Sequence, residues 1–147
     1  MKPVLELTHP THDHSYRVVY ADTDAGGVVY YGRYMRLFEI GRAEYMRNVL
    51  KIAYSSLEKQ GIIMPVVEMY CRYKSPAHYD DLLTISTSIY DYTKISVRFH
   101  YEIKLSQTNK TLMKGYTVHA AVDRNGKLLA LPDNLKEAMS FVKTGQT

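Results

Sequence analysis

Apolar and polar positions divide the chain into one short strand, one long helix and a run of further strands. Tyr16 to Ala21 is aromatic and β-branched with a single Arg, the composition of a short strand. Asp22-Thr23-Asp24-Ala25-Gly26-Gly27 then carries turn chemistry. From about Arg33 the period changes. Tyr34, Leu37, Phe38, Gly41, Tyr45 and Val49 recur at three- and four-residue spacing, which predicts a helix with a core-facing stripe. Arg36, Ala43 and Arg47 fall on its opposite side. Residues 54–60 predict a short second helix that Gly61 ends in the left-handed conformation.

Beyond Gly61 the signal is β. Ile62 to Tyr73 is β-rich, with Pro65 near its start, where a missing ladder donor is tolerable. Ser75 to Asp81 reads as a loop. Leu82 to Tyr90 alternates apolar and hydroxyl residues, a half-buried strand. Asp91-Tyr92-Thr93 predicts a turn, Lys94 to Leu105 a strand, and residues 106–110 a hairpin loop. Thr111 to Val122 is another strand, closed by a turn at Asn125-Gly126. Lys127 to Ala130 predicts a last short strand. Pro132 opens a C-terminal helix running to about Val142. Residues 1–15 lack any such pattern and are expected to be a loose leader to a single domain at 16–147.

Consecutive strands at hairpin spacing, without βα alternation, predict a mainly antiparallel sheet. One long helix has to bury its stripe against that sheet, so the expected class is α+β, a sheet wrapped around a helix. At 147 residues, 46% hydrophobic and 23% charged, the chain can build one such core. No apolar run reaches the length of a membrane span, and the first residues lack a signal-peptide core. The single cysteine, Cys71, excludes an internal disulfide and fits a reducing cytoplasm. A net charge of +4 suits a phosphate-bearing ligand, and no basic run or nucleic-acid-binding motif accompanies it.

Candidate chemistry concentrates between the first strand and the long helix. There a carboxylate, Asp24, stands beside two glycines that let another molecule approach the main chain. The first N–H groups of the helix have no internal partners and carry the positive end of its dipole. That combination suits acyl chemistry. Locally, turn or helix capping by Asp22 or Asp24 is the more economical reading. His9, His12 and His14 cluster without the spacing of a metal site, and His78, His100 and His119 form no ligand group. No G-x-S-x-G is present.

The segment Tyr20-Ala21-Asp22-Thr23-Asp24-Ala25-Gly26-Gly27-Val28-Val29-Tyr30-Tyr31 resembles the hotdog-fold acyl-CoA thioesterases of the 4-hydroxybenzoyl-CoA thioesterase type, closest to the Tol-Pal-associated branch. Tyr34, Phe38-Glu39, Arg42 and Glu44-Tyr45 continue the match, and a second block runs from Tyr73 to Leu83. The resemblance implies a hotdog fold over nearly the whole chain and makes Asp24 the catalytic carboxylate, as nucleophile or general base. It implies that the backbone N–H of Tyr31 polarises the thioester oxygen. Some relatives carry His at that position, and Tyr31 departs from them. Gly26, Gly27, Tyr34 and Glu39 are implied substrate contacts, Glu39 where the 4-hydroxybenzoyl enzyme has an Asp. Pairing with Arg42 is the alternative for Glu39, and core packing the alternative for Tyr34. Lys94 matches a phosphate-binding Lys, although the preceding Arg pair is Tyr92-Thr93 here; Arg98, Arg72 and Lys74 are further cation candidates.

The expectation is therefore a metal-independent acyl-CoA thioesterase that needs no cofactor, releases a small or medium aliphatic or aromatic acid, and assembles as a homodimer or homotetramer with sites at the subunit boundary. A non-catalytic module binding acyl-CoA or acyl-carrier protein is the rival.

Overall fold

A computed structural model describes residues 2–142. Among them, β1 (His12–Arg17), β2 (Val66–Tyr73), β3 (Leu82–Tyr92), β4 (Ser96–Leu105) and β5 (Lys110–Ala120) form one antiparallel sheet in the order β1-β3-β4-β5-β2. Three helices accompany it: α1 (Tyr34–Tyr45), α2 (Tyr54–Lys59) and α3 (Asp133–Ala138). The sheet curls around α1, the expected α+β hotdog arrangement. Register shifts at Val66/Glu68, Ile89/Asp91 and Ile103/Lys104 supply that curvature, because an extra residue on one strand bends the ladder.

The helical stripe is buried as the periodicity predicts: Tyr34, Leu37, Phe38, Gly41 and Tyr45 all leave solvent. Phe38 stacks on Tyr101 of β4 with ring centroids 4.2 Å apart, and Tyr45 meets Phe99 edge-on at 6.2 Å. Val49 is only half-buried. Residues 46–50 form a π-helical turn, which advances the face by one residue and buries Met46 and Leu50 instead. Gly61 (φ +81°) ends α2 as expected: Ile62 N–H donates to Leu57 O and Gly61 N–H to Glu58 O.

Two close approaches decide how deep α1 sits. A Cβ at Gly41 would lie 2.6 Å from Thr87 Oγ1 and 2.7 Å from Ile85 Cγ2 of β3. A Cβ at Gly115 of β5 would lie 2.5 Å from the Tyr70 carbonyl and 2.9 Å from Phe38 Cζ. Bare backbone at both positions lets helix, ring and strands meet.

Several local expectations differ from the structure. The first strand is His12–Arg17 rather than Tyr16–Ala21, and Tyr20–Asp22 is a 3₁₀ turn. Val18 N–H still donates to Asp81 O at 2.9 Å, but Val19 N–H turns to the Asp22 carboxylate, which competes with the ladder and ends it. The stretch expected to be a loose leader thus supplies β1. Upstream of β1, Leu5 is buried, and Thr8 donates its hydroxyl to Ile89 O and its N–H to Ser88 Oγ. β3 continues through Tyr92. The turn moves to Thr93–Ile95, where Thr93 Oγ1 accepts the N–H groups of Ile95 and Ser96. Residues 127–130 make a single bridge, Val122 to Leu128, and α3 ends at Ala138.

Gly41→Ala is expected to lower the unfolding free energy by roughly 1–3 kcal/mol, since overpacking outweighs the gain of about 1 kcal/mol in helix propensity. Urea denaturation checks this; an unchanged or raised stability would show that β3 yields to the added methyl.

Candidate active site

The two aspartates of the Asp-Thr-Asp segment have different surroundings. Asp22 is 3% exposed. Its Oδ2 accepts the Tyr16 hydroxyl at 2.7 Å and Val19 N–H at 2.9 Å, and Arg33 Nε lies 3.7 Å from Oδ1. Its carbonyl accepts Tyr30 N–H at 2.9 Å. One residue thereby joins β1, the 3₁₀ turn and the approach to α1. Arg33 adds a bond to Ala21 O at 2.9 Å, and Arg36 donates to Tyr16 Oη at 2.9 Å.

Asp24 is exposed and opens a tight hairpin loop. Asp24 N–H donates to Val28 O at 2.9 Å, Gly27 N–H donates to Asp24 O at 3.0 Å, and Gly27 takes φ +81°. That pattern is a turn closed by a left-handed glycine, so Gly27 is there for its backbone freedom. Gly26 N–H donates to Asp24 Oδ1 at 2.8 Å, and a Cβ on Gly26 would crowd that oxygen at 3.2 Å. The Gly26 amide is the only partner of this carboxylate among the described residues, and it fixes the side chain while the second oxygen stays open. The capping role expected on local grounds is therefore present in Asp24 as well.

The hairpin returns into the helix. Val28 bridges His78, and Val29 N–H donates to Ala77 O at 2.8 Å, tying the loop to the segment between β2 and β3. Tyr31–Arg33 forms a 3₁₀ turn running straight into α1. The Tyr31 N–H has no acceptor among the described residues, as the first amide of a helix should. Tyr73, at the end of β2, donates its hydroxyl to Tyr31 O at 2.9 Å and so braces the next peptide group from 42 residues away. No local pattern in the sequence marks Tyr73 for that task.

Hollows flank the helix start. One of about 360 Å³ is lined by Val29, Tyr31, Tyr34, Tyr73, Lys74 and Pro76. Tyr34 borders it but belongs mainly to the core: it is buried, meets Tyr73 edge-on at 5.5 Å, and accepts Ala77 N–H at 3.4 Å. Burial raises its pKa. A second cleft of about 440 Å³ runs between α1 and β2, with Glu39, Arg42 and Thr117 on its walls. Glu39 is exposed there and forms no ion pair with Arg42 among the described residues.

Lys94 and Arg98 are not brought to this place. Lys94 follows the far end of β3, an eleven-residue strand whose near end is tied to the Asp24 side through Val18 N–H and Asp81 O. Arg98 faces away from α1, since its neighbours Val97 and Phe99 face the core. Its guanidinium lies 3.9 Å over the Tyr116 ring, donates from Nε to His100 Nε2 at 3.0 Å and from Nη2 to Val4 O at 3.1 Å. Burial above all lowers His100 to about 4. Cys71 is half-buried, and burial pushes its thiol up to about 11, which keeps it protonated and unreactive. Among the described residues no three His, Cys, Asp or Glu side chains gather as a metal site.

Comparison with known proteins places this hotdog frame in a class, the thioester hydrolases. The thioesterase superfamily profile matches residues 26–112, beginning two residues after Asp24. The acyl-CoA thioesterase YbgC of Haemophilus influenzae is 36% identical over 129 residues, covering 86% of this chain and 93% of the relative. The Helicobacter pylori protein of the same name is 31% identical over 137 residues, covering 86% and 98%. The solved structure of a DHNA-CoA thioesterase from Staphylococcus aureus superposes with a TM-score of 0.85 at 28% identity, covering 89% of each chain. The chain belongs to the thioesterase superfamily and is an enzyme of that kind.

Removing each carboxylate separates the two roles. Asp22→Ala strands the Tyr16 hydroxyl and Val19 N–H and is expected to cost roughly 2–3 kcal/mol of stability. Asp24→Ala, at an exposed turn, is expected to cost less than about 0.5 kcal/mol. Equal losses in parallel urea titrations would refute this division.

Proposed function

We propose that the chain hydrolyses acyl-CoA thioesters to a free acid and coenzyme A, with Asp24 as the catalytic carboxylate. The observation that carries the reading is the pairing, within one hairpin-to-helix segment, of an open carboxylate steered by Gly26 N–H and a Tyr31 N–H without an acceptor. The thioester carbonyl sits against the Tyr31 amide. Developing negative charge on its oxygen meets a fixed donor at the positive end of α1, which needs no reorganisation. Asp24 supplies the attacking oxygen, directly or by taking a proton from water. The carbonyl carbon gains that oxygen, the C–S bond breaks, and the thiolate leaves to be protonated. On the direct route, water then cleaves the acyl–Asp24 anhydride and restores the carboxylate.

Coenzyme A also needs a cation for its phosphates. Lys74 borders the hollow beside Tyr31 and is the near candidate on the same chain. Lys94 serves only if a second copy carries it to the site. The edge of the sheet gives a reason for a second copy: β2 is exposed, with Val66, Val67, Met69 and Tyr73 open to solvent. An uncovered apolar edge strand is a template for pairing, and pairing β2 with its copy makes a dimer.

Coenzyme A release, followed with a thiol reagent over aliphatic and aromatic acyl-CoAs, is expected to show turnover that Asp24→Ala lowers by about 10²–10⁴-fold. Wild-type rates in the variant would sink the mechanism; tight acyl-CoA binding without turnover would favour a binding module. Sedimentation is expected to show a dimer or larger assembly that Val67→Lys splits, and a wild-type monomer at micromolar concentration would overturn the edge pairing.

A further inference from the structure

Under α1 runs a row of hydrogen bonds whose direction can be deduced. The Met64 carbonyl can only accept, so His119 Nδ1 carries the proton in their 2.9 Å bond. Burial above all, then the charge of Arg42, lowers His119 to about 4, so its ring is neutral and Nε2 accepts the Thr117 hydroxyl at 2.9 Å. Thr117 has spent its one proton, so Tyr101 donates to it at 2.6 Å. The Tyr101 oxygen is left to accept from Arg42 Nη1 at 3.2 Å. Every acceptor in this row is neutral.

Arg42 therefore ends a fixed polar row whose acceptors are all neutral; the Glu39 carboxylate on the same cleft favours its charge through space but forms no ion pair with it among the described residues. Its Nε is buried without an acceptor, its guanidinium lies 6.0 Å over the Tyr54 ring, and the buried Tyr54 hydroxyl lacks a partner too. The other charges facing the cleft are Glu39 and Arg36. Glu39 is exposed and forms no ion pair among the described residues, while Arg36 is turned to Tyr16. A half-buried cation held by neutral groups costs desolvation that an anionic partner would offset.

The cleft that Arg42 walls holds about 440 Å³ and reaches Gly32, one residue beyond the amide assigned to the thioester oxygen. Met35, Val66 and Met69 give it apolar walls, and Arg36, Glu39 and Arg42 its charged ones. From this we infer that the far end of the acyl group lies in this cleft and that Arg42 selects acyl groups ending in a carboxylate, the thioesters of dicarboxylic acids. The inference rests on the hydrolase reading above and names a substrate class for it. Arg42 acts on specificity, away from the reacting atoms.

Suberoyl-CoA and octanoyl-CoA have chains of equal length and differ in the terminal carboxylate. Wild-type protein is expected to show kcat/KM for suberoyl-CoA at least about ten-fold above octanoyl-CoA, the scale of one charge-assisted hydrogen bond. Arg42→Met is expected to bring that ratio near one, and Arg42→Lys to restore part of it. A wild-type ratio of one or below, or a ratio that survives in Arg42→Met, overturns the assignment. Calorimetric binding of suberate against octanoate to the wild-type protein makes the same comparison without a variant. Turnover with no preference for suberoyl-CoA would sink this inference alone. Preference for suberate with no turnover on any thioester would sink the hydrolase reading and leave the cleft assignment standing.

Discussion

The distance between α1 and the sheet governs everything else in this molecule. Helix and strand meet where Gly41 offers no side chain to Thr87 and Ile85, and Phe38 reaches Tyr101 because Gly115 leaves the strand bare beneath its ring. Packed interiors do not deform smoothly, so a helix lifted by one methyl group would move as a unit. Its first turn would move with it, carrying the Tyr31 amide away from the hairpin that holds Asp24. The hollows beside α1 would change width at the same time. A steric condition in the core thus sets the geometry of a site at the surface.

Around that helix, similar residues are put to different uses by their surroundings. Asp22 and Asp24 are two positions apart, yet one is a buried anchor with three polar neighbours and the other an open carboxylate with a single amide. The anchor keeps the strand, the turn and the helix start in one frame, and the open group gains a defined direction from that frame. Arginines divide in the same way. Arg33 and Arg36 brace the entry to α1, Arg98 is sandwiched between Tyr116 and Tyr90 on the far face of the sheet, and Arg42 stands in the cleft without an ion pair among the described residues. Placement rather than residue type tells a structural cation from one with binding capacity left over.

Much of this was legible from sequence because it is local or periodic. The stripe from Tyr34 to Tyr45 needs only the 3.6-residue repeat, and the strand alternation needs only the period of two. Gly61 and Gly126 both take the left-handed conformation their turn positions suggested. Family resemblance, carried by the Tyr20–Tyr31 segment, is what makes the Asp24 hairpin and the Tyr31 amide the proposed site; local pattern alone favours mere capping there. Boundaries were less legible. The first strand began earlier because pairing with β3 recruits residues of modest β character, and Asp22 ends it by taking an amide from the ladder.

What only the tertiary structure decided are contacts between residues far apart in the chain. Tyr73 under Tyr31, the row from Arg42 to Met64, and the enclosure of Arg98 by Val4 and Tyr116 leave no mark in a one-dimensional pattern. Lys94 shows the converse: its position along the sequence suits a phosphate contact, but the length of β3 carries it to the other end of the sheet from Asp24. Periodicity tells which face of an element is buried, because burial repeats along it. Which side chain meets which across the core depends on register, curvature and the closeness of helix to sheet, and those exist only once the chain has folded.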